Sequence, residues 1–90
     1  MSTAHTIEEK LTAALAPKTL DVVNESHLHA SHASSPGTGD SHFRVTVISE
    51  KFSDVNRVNR QRMVYEILKD ELEGPVHALA LTTKTPSEAD

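Results

Sequence analysis

The sequence is defined first by what it lacks. It has no cysteine and no tryptophan among its ninety residues, and only two Phe and one Tyr. Without cysteine there is no disulfide staple, no thiol nucleophile, no zinc ribbon and no all-cysteine iron–sulfur site. With three glycines the chain cannot build a glycine-rich nucleotide loop, and Gly-x-Ser-x-Gly, the phosphate-binding P-loop and His-Glu-x-x-His are all missing. There is no excess of positive charge: nine Lys+Arg stand against thirteen Asp+Glu, a net −4. Nucleic-acid affinity rests largely on phosphate neutralisation, so an acidic chain is a poor general binder. No apolar run approaches the roughly 20 residues that span a bilayer. The start, Met1-Ser2-Thr3-Ala4-His5, lacks the charged region, apolar stretch and cleavage site of a signal peptide. These absences predict a cytoplasmic binding module with no membrane association. They argue against an enzyme.

What the chain does have is histidine, six in all. A soft-metal ligand from this chain alone has to be an imidazole. The elements around those histidines are readable. Thr6 with Glu9 forms a capping-box pattern, and Ile7, Leu11, Ala14 and Leu15 make one apolar stripe up to Pro17, so a helix is predicted over 6–16 after a disordered tail over 1–5. Thr19 to Asn24 is short, holds Val22 and Val23, and reads as a strand. Residues 27–41 form a long loop with His27, His29 and His32, and Pro36 to Asp40 is a turn cluster. His42 to Ser49 alternates apolar and polar residues as a second strand. Val64, Ile67, Leu68 and Leu72 mark a second helix that stops at Gly74-Pro75. Val76 to Thr83 reads as a third strand, and 85–90 as a frayed tail.

The order α-β-β-α-β predicts one small α+β domain over 6–84 with a three-stranded mixed sheet and helices on one face. The first two strands pair as an antiparallel hairpin. The second and third, joined by a helix, are parallel with a right-handed crossover. That topology gathers histidines. The end of strand 1, the start of strand 2 and the start of strand 3 share one end of the sheet. Five of the six histidines, His27, His29, His32, His42 and His77, are thereby expected at that end. His5 lies in the tail. His42 has two readings, a locally packed or hydrogen-bonded residue and a ligand. The loop pairs of His-x-His type are also open to nonspecific Zn²⁺ or Ni²⁺ binding.

The assembled segments resemble the BolA family. Asn24-Glu25-Ser26, the His-bearing loop and Ser41-His42-Phe43-Arg44-Val45 look like its central signature, continued by Val47-Ile48-Ser49-Glu50-Lys51-Phe52. Arg60-Gln61-Arg62-Met63-Val64-Tyr65 is similar to its helix start, Gly74 to Leu79 to its last strand, and Thr85-Pro86 to its usual ending. Two positions depart from the pattern. Gln61 stands where His is common, and Asp54 stands where Gly often follows the Phe.

The resemblance implies a type II KH-like fold and two functions. One is partnership with a monothiol glutaredoxin around a [2Fe–2S] cluster. Two histidines can replace two cysteines on one iron of such a cluster. The glutaredoxin and glutathione would supply the thiolates. The resemblance assigns His77 as one ligand and a loop residue, aligned best with His29, as the other; His27, His32 and His42 compete for that place. The chain would be a monomer without cofactor when free and a heterodimer with glutaredoxin when loaded. Imidazole ligation predicts weaker cluster binding below about pH 6.5, because a protonated ring cannot bind metal. The other implied function is DNA-binding transcriptional regulation. Lys51, Arg57, Arg60 and Arg62 cluster near the start of helix 2 and could face phosphate or a partner's acidic patch. Gly-x-x-Gly of the KH kind is absent.

Overall fold

A computed structural model describes residues 2–26, 41–74 and 76–89. The element order is α1 (Thr3–Leu15), β1 (Thr19–Asn24), β2 (His42–Ile48), a 3-10 turn (Glu50–Phe52), α2 (Arg57–Ile67), α3 (Lys69–Glu73), β3 (Ala78–Lys84) and α4 (Pro86–Ala89). The sheet order is β1-β2-β3, with β1 antiparallel and β3 parallel to the central strand. The mixed three-stranded α+β architecture is the one expected.

Alternation along the strands decides which face is covered. Phe43, Val45 and Val47 of β2 are buried, while Arg44 between them is exposed. Their neighbours in register are Leu20 and Val22 on β1 and Leu79 and Leu81 on β3. This face packs against Ile7, Leu11 and Leu15 of α1 and Val64 of α2, with Leu68, Phe52 and Val76 completing the core. Each fully buried side chain of this size contributes about 1.5–3 kcal/mol. The core is therefore one helix stripe and one half of α2 laid on one sheet face.

Several boundaries differ from the sequence reading, each for a local reason. α1 starts at Thr3 because Ser2, not Thr6, is the cap: the Ser2 hydroxyl accepts from the His5 amide at 3.1 Å. Thr6 instead donates its hydroxyl to the Ser2 carbonyl. The first residues are thus helix rather than tail. The second helix is two helices, broken at Leu68 (φ −100°, ψ 19°). The break carries α3 to α1, where Glu71 meets Lys10 at 2.8 Å. β2 ends at Ile48, and β3 starts two residues late, at Ala78, because Val76 bonds back to the Glu71 carbonyl.

Residues 85–89, read from the sequence as tail, form a capped helix. Thr85-Pro86-Ser87-Glu88 is a reciprocal capping box: the Glu88 carboxylate accepts from the Thr85 amide at 2.8 Å, and the Thr85 hydroxyl from the Glu88 amide at 3.2 Å. Pro86 suits the first helical position, where no amide is needed. Asp54 adopts a left-handed φ of 65°, a conformation that glycine takes freely and aspartate tolerates.

Candidate functional site

The histidine end of the sheet is built by two backbone features. The parallel ladder sets His42 opposite Ala78. Just ahead of the ladder, the amides of His77 and Ala78 both donate to the Ser41 carbonyl, at 2.8 and 3.1 Å. His77 is therefore pinned by its backbone beside Ser41-His42, while the residue itself is exposed. About 35 residues of sequence separate the two positions. The crossover brings them together.

Ser26 ties the same end. Its side chain is 5% exposed. Its hydroxyl oxygen accepts from the amides of Ser41 at 2.9 Å and His42 at 3.1 Å, and it lies 3.4 Å from the His42 carbonyl, to which it donates. The Ser26 amide in turn donates to the Asn24 side chain at 2.9 Å. One hydroxyl thus ties Ser26 to Ser41 and His42, the residues that flank 27–40, next to His77. In the sequence Asn24-Glu25-Ser26 reads only as part of the family signature. The available signal was the Asn-x-Ser spacing at a strand end, a pattern in which short polar side chains satisfy nearby amides.

His42 is half-buried, and its Nδ1 lies 2.7 Å from the Ser41 hydroxyl. Of its two readings, the local hydrogen bond is the one seen. His27, His29 and His32 lie outside the described residues. The expected gathering of five histidines is therefore seen for His42 and His77 alone among the described residues. Among the described residues no group of three or more His, Asp or Glu side chains forms a complete metal centre.

The basic cluster is rearranged. Lys51, Arg57 and Arg62 are exposed, but Arg60 is turned inward and is only 9% exposed. Its Nε donates to the Val55 carbonyl at 2.7 Å, and its Nη1 to Glu88 at 2.6 Å and to the Thr83 carbonyl at 3.4 Å. Its guanidinium also lies 5.8 Å from the Phe52 ring centre. The arginine ion pair and the Thr85 amide hold the Glu88 carboxyl down from 4.5 to about 2. Arg60 is a strut for α4, and the expectation that it presents charge to DNA or a partner is corrected. In the sequence it resembles its neighbours, because nothing local marks Glu88, 28 positions away, as its acceptor.

Residues 11–88 match the family described as BolA-like protein. The chain belongs to the BolA family. It is 46% identical over 82 residues to BolA-like protein 1 of Mus musculus, covering 91% of this chain but 57% of that one. It is 46% identical over 82 residues to the DNA-binding transcriptional regulator BolA of Escherichia coli, covering 91% of this chain and 74% of that one. The chain thus spans little more than half of the mouse relative. Among solved structures it is similar to BolA1 from Arabidopsis thaliana, with a TM-score of 0.90 at 38% identity, covering 100% of this chain and 98% of that one. No helix among the described residues is long and apolar enough to cross a membrane.

Proposed function

We propose that this BolA-family chain is a cytoplasmic adaptor in iron–sulfur cluster trafficking or iron regulation. It would bind a monothiol glutaredoxin and co-ligate a bridging [2Fe–2S] cluster through histidine. The observation that carries the reading is the pinning of exposed His77 beside Ser26 and Ser41, the residues that flank the segment holding His27, His29 and His32. The donor chemistry fits. This end offers imidazole nitrogen and, with no cysteine in the chain, no thiolate, so the thiolates are left to the glutaredoxin and glutathione. A cluster held in this way is cargo, and the role of this chain is to present two nitrogens at a surface that a partner can reach.

The test is to mix the protein with cluster-loaded monothiol glutaredoxin and follow visible absorbance and circular dichroism. His77→Ala and His29→Ala should each remove the spectral change, and His42→Ala should not. His77 is exposed and bonds through its backbone, so His77→Ala should stay within about 0.5 kcal/mol of the parent stability. Wild-type spectra from both His77→Ala and His29→Ala would sink the reading.

A second reading, DNA-binding transcriptional regulation, is favoured by the Escherichia coli relative that carries this description. Its contacts would be Lys51, Arg57 and Arg62, without Arg60. Three phosphate contacts predict a slope of log K against log salt no steeper than about −2.7. Charge reversal at Arg57 and Arg62 should abolish binding with the fold retained.

A further inference from the structure

The outer edge of β3 carries a site that the cluster chemistry does not use. β3 is an edge strand. The direction of its backbone groups follows from its bonds. The Ala78 amide points to β2, donating to the Ser41 carbonyl, and the Lys84 carbonyl also points inward, accepting from the Ser49 amide. The Thr83 carbonyl points outward, to Arg60. Since N–H and C=O of one residue share a side and successive residues alternate, Leu79, Leu81 and Thr83 face away from the sheet. Among the described residues, no bond occupies the outward amides and carbonyls of Leu79 and Leu81.

Edge strands are normally blunted by charge, proline or a bulge. β1, the other edge, carries Asp21 in mid-strand. β3 reads Ala-Leu-Ala-Leu-Thr-Thr before Lys84, with no charge and no proline, and its register with β2 runs unbroken from Ala78 to Lys84. Alongside its final residues, between β3 and the start of α2, lies a groove of about 370 Å³ lined by Arg57, Arg60, Gln61, Leu81, Lys84 and Glu88, among others. Three cations face one anion there, an excess of two positive charges. Glu88 is already bonded to Arg60. Arg57 and Lys84 are exposed and make no ion pair among the described residues.

We propose that the β3 edge and this groove bind an extended acidic peptide segment of a partner protein by strand addition. The peptide would pair with the outward groups of Leu79 and Leu81 and set a carboxylate between Arg57 and Lys84. Strand addition uses main-chain bonds for affinity and flanking pockets for specificity. A single-stranded nucleic acid is a poorer match. It has no alternating amide and carbonyl row to complement the strand edge, and no aromatic residue lines the groove to stack a base. The charged groove lies at the opposite end of β3 from His77, the paired edge begins two residues after it at Leu79, and the inference does not rest on the cluster reading.

The test is an amide-detected NMR titration of the full chain with an end-blocked octapeptide of alternating valine and threonine carrying one central glutamate. Saturable shifts at Leu79, Leu81 and the first turn of α2 are expected, with slowed hydrogen exchange at the Leu79 and Leu81 amides. The counterpart peptide with lysine in place of glutamate should bind at least tenfold more weakly. The Arg57→Glu/Lys84→Glu double variant should also bind the acidic peptide at least tenfold more weakly, and Arg57→Gln/Lys84→Gln provides the milder version. Equal affinity for the two peptides, shifts centred on β1, or no saturation up to millimolar peptide would overturn the proposal. So would binding of an eight-nucleotide oligothymidine at this edge without binding of the acidic peptide.

Discussion

Ser26→Ala tests the way the histidine end is assembled. The substitution removes one oxygen and leaves the Ser41 and His42 amides without their acceptor. Ser41 is 1% exposed, so its amide cannot turn to water, and an unsatisfied buried donor costs about 2 kcal/mol. His42 is half-buried and accounts for about 1 kcal/mol more. The expected loss is about 3 kcal/mol, and for a domain of this size that lowers the melting temperature by roughly 12–24 °C. Urea unfolding followed by circular dichroism measures the first figure and a thermal scan the second. Ser53→Ala, at an exposed serine, is the control and should stay within about 0.5 kcal/mol. If Ser26 is the tie, hydrogen exchange at the Ser41 and His42 amides should quicken more than at Val45 in the middle of the same strand. A stability loss below about 0.5 kcal/mol with unchanged exchange at those two amides would refute the assignment.

Other parts of the structure make separate predictions. Ala16 ends α1 at a left-handed φ of 42°, so Ala16→Gly should stabilise the protein by about 0.5–1 kcal/mol, read from the urea midpoint at constant slope. Glu88 is depressed to about 2 from 4.5. A depressed carboxyl contributes stability above its unfolded value and loses it as pH falls through its folded value. Glu88→Gln should therefore flatten the acid limb of the stability curve between about pH 4.5 and pH 2, and leave an offset from the parent above that window. Arg60→Lys keeps the charge but not the forked donors that reach Val55, Thr83 and Glu88. It should selectively quicken exchange at the Thr85 and Ala89 amides that mark α4.

The strands were more legible in the sequence than the helix ends. β1 falls on Thr19–Asn24 as read, because a short run with two adjacent valines beside Pro17 leaves little choice. The alternation of Phe43, Val45 and Val47 named the buried face of the central strand, since a slip of one residue would have turned all three to solvent. What was hidden rests on contacts between distant residues. The break at Leu68 interrupts an unbroken apolar stripe and is matched by Lys10 reaching Glu71 across 61 positions. The burial of Arg60 depends on Glu88 in the same way. The short last helix is legible, however: Thr85-Pro86-Ser87-Glu88 carries cap, proline and returning glutamate in order. At the site, topology predicted that His77 would meet the start of β2. The hydroxyl of Ser26 was not predicted, because a serine before a long segment looks the same whether or not its oxygen is used.

The straight run of β3 also sets how binding events on this molecule combine. Six steps along the strand rise about 20 Å between Ala78, the position after His77, and Lys84. Groups that far apart, with no shared partner, contribute additively to free energy within about 0.5 kcal/mol. A ligand at the imidazole end and a small anion beside Lys84 should thus be held simultaneously, each with the affinity it has alone. The chain would then behave as a two-headed spacer, and a double titration would return a coupling factor close to one.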